Sequence, residues 1–185
     1  LFDLFIGFIR RAEKSKRVMV KKVIAIGGEP ATGKSTLVRE LMKDYTLSQF
    51  KYGLVRGKYD ELQNVYFIGV FDGGTFEGTD KLSMGVQPDF VKFLKYCNGI
   101  VIFEGDRLFN NKLFSNDFPF IKIVLTASND TKDRRHKERG DNQSQVFLNS
   151  RITKIDNIIK SHPDTIILQN EDSDITINKI KEYIR

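Results

Sequence analysis

The residues Gly28-Glu29-Pro30-Ala31-Thr32-Gly33-Lys34-Ser35 follow the spacing G-x-x-x-x-G-K-[ST]. Residues of these types at this spacing suit one chemistry, the wrapping of a chain of phosphates. Glycines let the backbone turn so that its N–H groups face inward, and a helix that starts where the turn ends adds the positive end of its dipole. Lys34 offers an ammonium to the β and γ phosphates and Ser35 a hydroxyl to magnesium, while Thr36 adds a hydroxyl near the α phosphate.

Such a turn works only between a strand and a helix, and the flanking sequence supplies both. VKKVIAI reads as a buried strand, and STLVRELM as a helix with Leu37, Val38, Leu41 and Met42 at helical spacing. Four more strand candidates follow: VYFIGVF (65–71), GIVIFE (99–104), FIKIVLTA (120–127) and DTIILQ (164–169). Helices are expected over 87–97, 131–139, 143–161 and 175–184. This alternation predicts an α/β chain with a five-stranded parallel sheet between two helical layers. YGLVRGKYDELQ (52–63), which carries Arg56 and Lys58, fits either a hairpin or a loop.

In a parallel sheet the polar groups at the carboxyl ends of strands face the ligand crevice. GIVIFE ends in Glu104, which could position magnesium or its water, and Asp106 and Arg107 follow; Arg107 could contact phosphate or an acceptor. The second strand leads into Asp72, and Asp80 stands in the glycine-punctuated loop beyond. A carboxylate is needed to take the proton of an acceptor hydroxyl, and these two aspartates are equal candidates. Phe71 and Phe76 could stack on a base, although 15 Phe make core packing the ordinary use. After the fourth strand, TKDRRHKER brings Arg134, Arg135 and Arg139 together. A basic segment there suits a lid, over about 130–145, that covers a transferring phosphate and excludes water. Arg151, on the next helix, could reach back toward the nucleotide, whereas His136 reads as a surface residue.

Composition sets the bounds. With 185 residues, one compact domain over 19–185 is expected, preceded by an extension over 1–18. The formal charge is +6, of which residues 1–22 contribute +5, so the rest of the chain is nearly neutral and a general DNA-coating surface is poorly supported. The leader LFDLFIGFIRRAEKSKR has too short an apolar run to span a membrane, and its charges follow that run instead of preceding it. Met19, just before VKKVIAI, is where a protein of this kind would naturally begin. The single cysteine, Cys97, forms no internal disulfide and suits a reducing cytoplasm as a small buried hydrophobe.

Taken together, GEPATGKS, a carboxylate after the second strand, EGDR after the third and RRHKER after the fourth resemble the P-loop kinases of nucleosides, nucleotides and related small molecules, over most of residues 19–170. VYFIGVFDGGTFEGTDKLSMGVQPDFVKFLK is similar to a segment of bacteriophage P-loop kinases, including relatives of enzymes that phosphorylate 5-hydroxymethyluracil within DNA. The resemblance implies a three-layer kinase fold with a short basic lid, ATP and Mg2+ as cofactors, and Lys34 and Ser35 at the donor phosphates. It further implies Asp72 at the acceptor hydroxyl, Glu104 and Arg107 near the reacting centre, and the Arg134–Arg139 segment as the lid. The acceptor would be a small nucleoside or nucleotide, or modified duplex DNA, and the setting the cytoplasm, the host's if the chain is phage-encoded. No membrane partner is implied, and pairing into a homodimer is compatible with the sequence but not required by it. The pattern departs from the family in one respect, because Gly105 and Asp106 separate the acid from the arginine. An Asn-Lys-x-Asp guanine signature and the full Asp-Glu pair of motor ATPases are both missing. A nucleotide-driven switch and a nucleotide-responsive DNA-binding protein are the competing readings.

Overall fold

A computed structural model describes residues 20–74, 76–140 and 143–185, with Arg139 described by its backbone alone. The extension expected over 1–18 lies outside them. The first strand, β1 (Lys22–Gly28), enters the glycine turn and helix α1 (Lys34–Met42) leaves it. Then come β2 (Ser48–Tyr52), β3 (Val55–Asp60), β4 (Val65–Ile68), α2 (Val86–Tyr96) and β5 (Ile100–Glu104). The chain continues through α3 (Asn111–Phe114), β6 (Phe120–Thr126), α4 (Asn129–Arg139), α5 (Gln145–Ser161), β7 (Ile166–Gln169) and α6 (Ser173–Ile184).

One sheet holds the strands in the order β2-β3-β4-β5-β1-β6-β7. β4, β5, β1, β6 and β7 run parallel, whereas β2 and β3 are antiparallel additions at one edge. The expected five-stranded parallel sheet is therefore corrected to a mixed sheet of seven. The two extra strands lie over 48–60: β3 and the turn fall in the 52–63 stretch that fitted either a hairpin or a loop, and most of β2 precedes it. Gly53, at φ 56, makes the hairpin turn and β3 finds its partner in β4.

Alternation along β1 explains the layers. Val23 and Ala25 face α2, α3 and α5, in a core with Phe90, Phe103, Leu113 and Ile158. Ile24 and Ile26 face α1 and α6, with Leu37, Leu41, Ile102 and Ile180. Each fully buried Leu, Ile or Phe contributes about 1.5–3 kcal/mol through lost water contact, so β1, sandwiched on both faces, is the firmest platform available. The helices after β1 and β5 leave toward opposite faces of the sheet. This opens a crevice at the carboxyl ends of those two neighbouring strands, the ordinary ligand position in such sheets.

Candidate functional site

The turn after β1 has the backbone that phosphate wrapping requires. Gly28 has φ 142 and Gly33, the residue capping α1, lies in the left-handed region at φ 88. A Cβ on Gly28 would overlap the carbonyl of Leu125, so glycine is needed there for close approach as well as for conformation. Ala31 also has positive φ, at 61, which is uncommon for a residue with a side chain. Several bonds hold the turn. Thr32 Oγ1 donates to the carbonyl of Glu29 at 2.8 Å, and Asn170 Nδ2 donates to the carbonyl of Thr32, also at 2.8 Å. Lys34 Nζ donates to the carbonyls of Gly28 and Glu29 at 2.9 and 2.8 Å, which keeps the ammonium inside the turn. Thr36 is exposed on α1, and Pro30 is half-buried in the turn.

Register brings the acid alongside. Ile26 of β1 pairs with Glu104 of β5, and Ser35 Oγ donates to Glu104 Oε1 at 2.9 Å. Glu104 is only 2% exposed. Burial pushes its carboxyl up to about 7, against the opposing pull of Lys34 and of the Ser35 hydroxyl. A hydroxyl and a carboxylate converging beside the phosphate turn are hard oxygen donors suited to Mg2+. Among the described residues no group of three or more His, Cys, Asp or Glu forms a closed metal cage. Mg2+ at phosphate sites keeps several waters and takes further ligands from phosphate oxygens, so it asks for only one or two protein oxygens. The residues present thus fit magnesium bound together with a nucleotide.

The loop after β4 closes onto this acid. Val70 and Gly78 exchange backbone hydrogen bonds at 2.9 and 2.8 Å, and Gly78, at φ 66, lies so close to Glu104 that a Cβ would overlap its carboxylate. Asp80 follows in a short 3-10 turn. Its Oδ1 accepts from the Arg107 backbone N–H at 2.9 Å, and Arg107 Nη2 donates to the Asp80 carbonyl at 3.0 Å. Burial raises the Asp80 carboxyl, helped by the nearby Asp106 and opposed by Lys34 and Arg107. Asp72 is placed differently. It is exposed, bound to Lys81 Nζ at 2.6 Å, and that hydrogen bond holds its carboxyl below the ordinary range. Lys34, Ser35, Glu104, Asp80 and Arg107 therefore gather around the ends of β1 and β5, while Asp72 stands at the rim. Phe76 is exposed, and Phe71 packs partly against the core.

The basic helix α4 is docked on the phosphate turn. Ser128 caps its start, accepting from the Thr131 N–H. Arg135 donates to the carbonyls of Ala31 at 3.2 Å and Asn170 at 3.0 Å. Lys132 pairs with Glu29 at 2.8 Å. Arg134 points the other way, to Glu138 at 3.9 Å, and the side chain of Arg139 lies outside the described residues. Arg151 reaches Asp106 at 3.0 Å, and Lys154 donates to the Asp106 carbonyl at 2.8 Å. Burial lowers the ammonium pKa of Lys154. Lys154 also lines a cleft of about 360 Å3 between α3 and α5, together with Asn110, Ser150 and Asn157. Cys97 is buried, and its thiol is pushed up to about 12 by that burial.

Three contributors escape the sequence. Asn170, just past β7, braces the turn. Glu77 is a buried acid in the loop after β4, and Arg39 on α1 is its ion-pair partner at 3.4 Å. A polar residue immediately after a strand signals the first; nothing in the spacing signals the other two.

A glycine turn between β1 and α1, a lysine inside it, and a serine bonded to an acid at the end of the neighbouring strand define a P-loop NTPase domain. The sequence matches the AAA domain family over residues 24–156, and the chain belongs to that family. No curated protein matches it. Among solved structures it is similar to an uncharacterized protein from Eubacterium ventriosum. The two are 18% identical over 89% of this chain and 98% of that one, with a TM-score of 0.48. Among the described residues no helix is long and apolar enough to cross a membrane.

Proposed function

We propose that this AAA-family P-loop domain is an ATP- and Mg2+-dependent kinase that transfers the γ-phosphoryl group to a hydroxyl on a nucleoside, nucleotide or modified base, 5-hydroxymethyluracil in phage DNA among them. The observation that carries the reading is the seating of an aspartate-bearing loop directly against Glu104. Gly78 and Gly105 both lie where a Cβ would crowd that loop or the acid, so the segment bearing Asp80 packs against the acid that stands beside the phosphate turn.

In this reading the turn amides and Lys34 bind the donor phosphates, and Ser35 with Glu104 holds the metal. When bound, Mg2+ supplies neutralising charge and orientation to the phosphate oxygens. Asp80, or Asp72 once released from Lys81, takes the proton of the acceptor hydroxyl. The acceptor oxygen forms a bond to the γ phosphorus, the bond to the β–γ bridging oxygen breaks, and ADP leaves. Arg135 is placed on α4 to shift from backbone carbonyls onto the developing charge, as a lid arginine would. Partner classes follow from that reaction: a small nucleoside or nucleotide, or duplex DNA whose pyrimidine 5-substituent already projects into the major groove.

Transfer of label from γ-labelled ATP to thymidine, thymidine monophosphate or a hydroxymethylated duplex tests the proposal. Phosphate release at the same rate with and without every acceptor would refute it. That result would instead favour simple NTP hydrolysis, a reading supported by AAA family membership and by the raised carboxyl of Glu104 at the site.

A further inference from the structure

The described residues between Val70 and Gly78 include Asp72 and Phe76, and the glycines among them, Gly73, Gly74 and Gly78, give little stiffness of their own. Among the described residues three fastenings hold this loop, one of them the Asp72–Lys81 ion pair at 2.6 Å. At its base Val70 and Gly78 exchange backbone hydrogen bonds. At its rim the Glu77 side chain, 4% exposed, accepts from the Gly73 N–H at 2.6 Å through Oε1 and faces Arg39 Nη1 at 3.4 Å through Oε2. Arg39 stands four residues after Ser35 on α1, one turn along the same face. An enclosed carboxylate is costly without compensation. Here the compensation ties together two segments with different tasks, the helix that begins at the phosphate turn and the loop on the acceptor side. Satisfying this one acid therefore fastens the loop to α1.

We propose that Glu77 is a positioning residue that, through Arg39, clamps the acceptor-side loop to the P-loop helix and so sets how tightly the acceptor is held. The kinetic half of this inference rests on the kinase reading, and the mechanical half does not.

The chain contains no tryptophan, so Phe76→Trp places a single emitter on the loop, at a side chain that is already exposed. In that background Glu77→Gln keeps the size and the acceptor for Gly73 but removes the charge facing Arg39. Acrylamide quenching of the tryptophan is expected to rise up to about 1.5-fold, the headroom left by a position already 60% exposed. Arg39→Ala gives the same rise, the double variant gives no more, and Arg39→Lys restores most of the protection. Affinity for a non-hydrolysable ATP analogue stays within about twofold, while acceptor KM rises about tenfold with kcat changed less than about threefold, the pattern of lost acceptor binding. Acceptor probes are thymidine, thymidine monophosphate and a hydroxymethylated duplex. Quenching unchanged by Glu77→Gln overturns the clamp, and so does a collapse of kcat at unchanged acceptor KM. If the reporter protein with Glu77 intact phosphorylates none of the three probes, the kinase reading fails, and the quenching series still decides the clamp.

Discussion

Replacing Glu104 by Gln should make the protein's stability less dependent on pH, and the size of the change follows from the site. Burial carries the Glu104 carboxyl from 4.5 up to about 7. At about 1.4 kcal/mol per unit, that gap corresponds to about 3 kcal/mol. The sign is fixed by which state holds the proton. Between pH 4.5 and about 7 the folded protein keeps a proton on Glu104 that the unfolded chain has released, so folding stability falls as pH rises through this window. The contribution is complete below 4.5 and gone above about 7. Gln cannot ionise, yet its carbonyl still accepts from Ser35 Oγ, so the variant should match the parent near pH 4.5 and exceed it by about 3 kcal/mol near pH 8. Urea unfolding at several pH values, without nucleotide and extrapolated linearly to water, measures both proteins. Taking the difference cancels groups that both share, such as Asp72 and Asp164, whose lowered pKa values act at the acid end. A difference that stays within about 0.5 kcal/mol from pH 4.5 to 8 would refute the reasoning, since exposed substitutions reach only that size. The same coupling predicts proton release when MgATP binds below about pH 7, visible as a buffer-dependent binding enthalpy.

Lys34→Met should lower phosphoryl transfer or phosphate release by about 100-fold or more, the usual loss for one charged donor at a reacting phosphate; steady-state assays with ATP check it. Gly78→Ala forces a side chain into a left-handed backbone and against Glu104, so a loss of about 1–3 kcal/mol is expected in thermal or urea melts. Asn170→Ala removes the donor to the Thr32 carbonyl. It should cost about 1–3 kcal/mol and weaken binding of a non-hydrolysable ATP analogue measured by calorimetry.

The five parallel strands were legible because each is a short β-branched or aromatic run, a pattern that needs no knowledge of its partners, although β7, at the sheet edge, leaves Ile167 exposed. The hairpin β2–β3 was not. Lys51, Arg56 and Lys58 interrupt its apolar residues, and only pairing with β4 makes a strand of it. Helix α3 has four residues, too few for a helical period to show. In the site, Lys34, Ser35 and Glu104 could be read from a motif and a strand end, since both devices are local. Asp72 and Asp80 stood equal in sequence and differ in the structure, because Lys81 draws one outward while the Arg107 backbone holds the other inward. The two neighbouring arginines of α4 separate for a simpler reason. Successive helical residues point about 100° apart, so Arg135 meets the turn and Arg134 meets solvent. Glu77 and Arg39 owe their pairing to the fold of a glycine-rich loop, which no spacing rule anticipates.

The place of β1 at the middle of the sheet has a consequence for how the chain is made. Lys22 pairs with Ile100, and Val23 with Phe120, so the earliest described strand must wait for neighbours synthesised roughly 80 to 100 residues later. A ribosome moving at about 5–20 residues per second leaves this apolar strand without either flank for several seconds. Shielding by a chaperone is most useful in that interval, and a nascent chain cut before Thr126 would lack the edge strand β7, the α5 cover of one face and the α6 cover of the other.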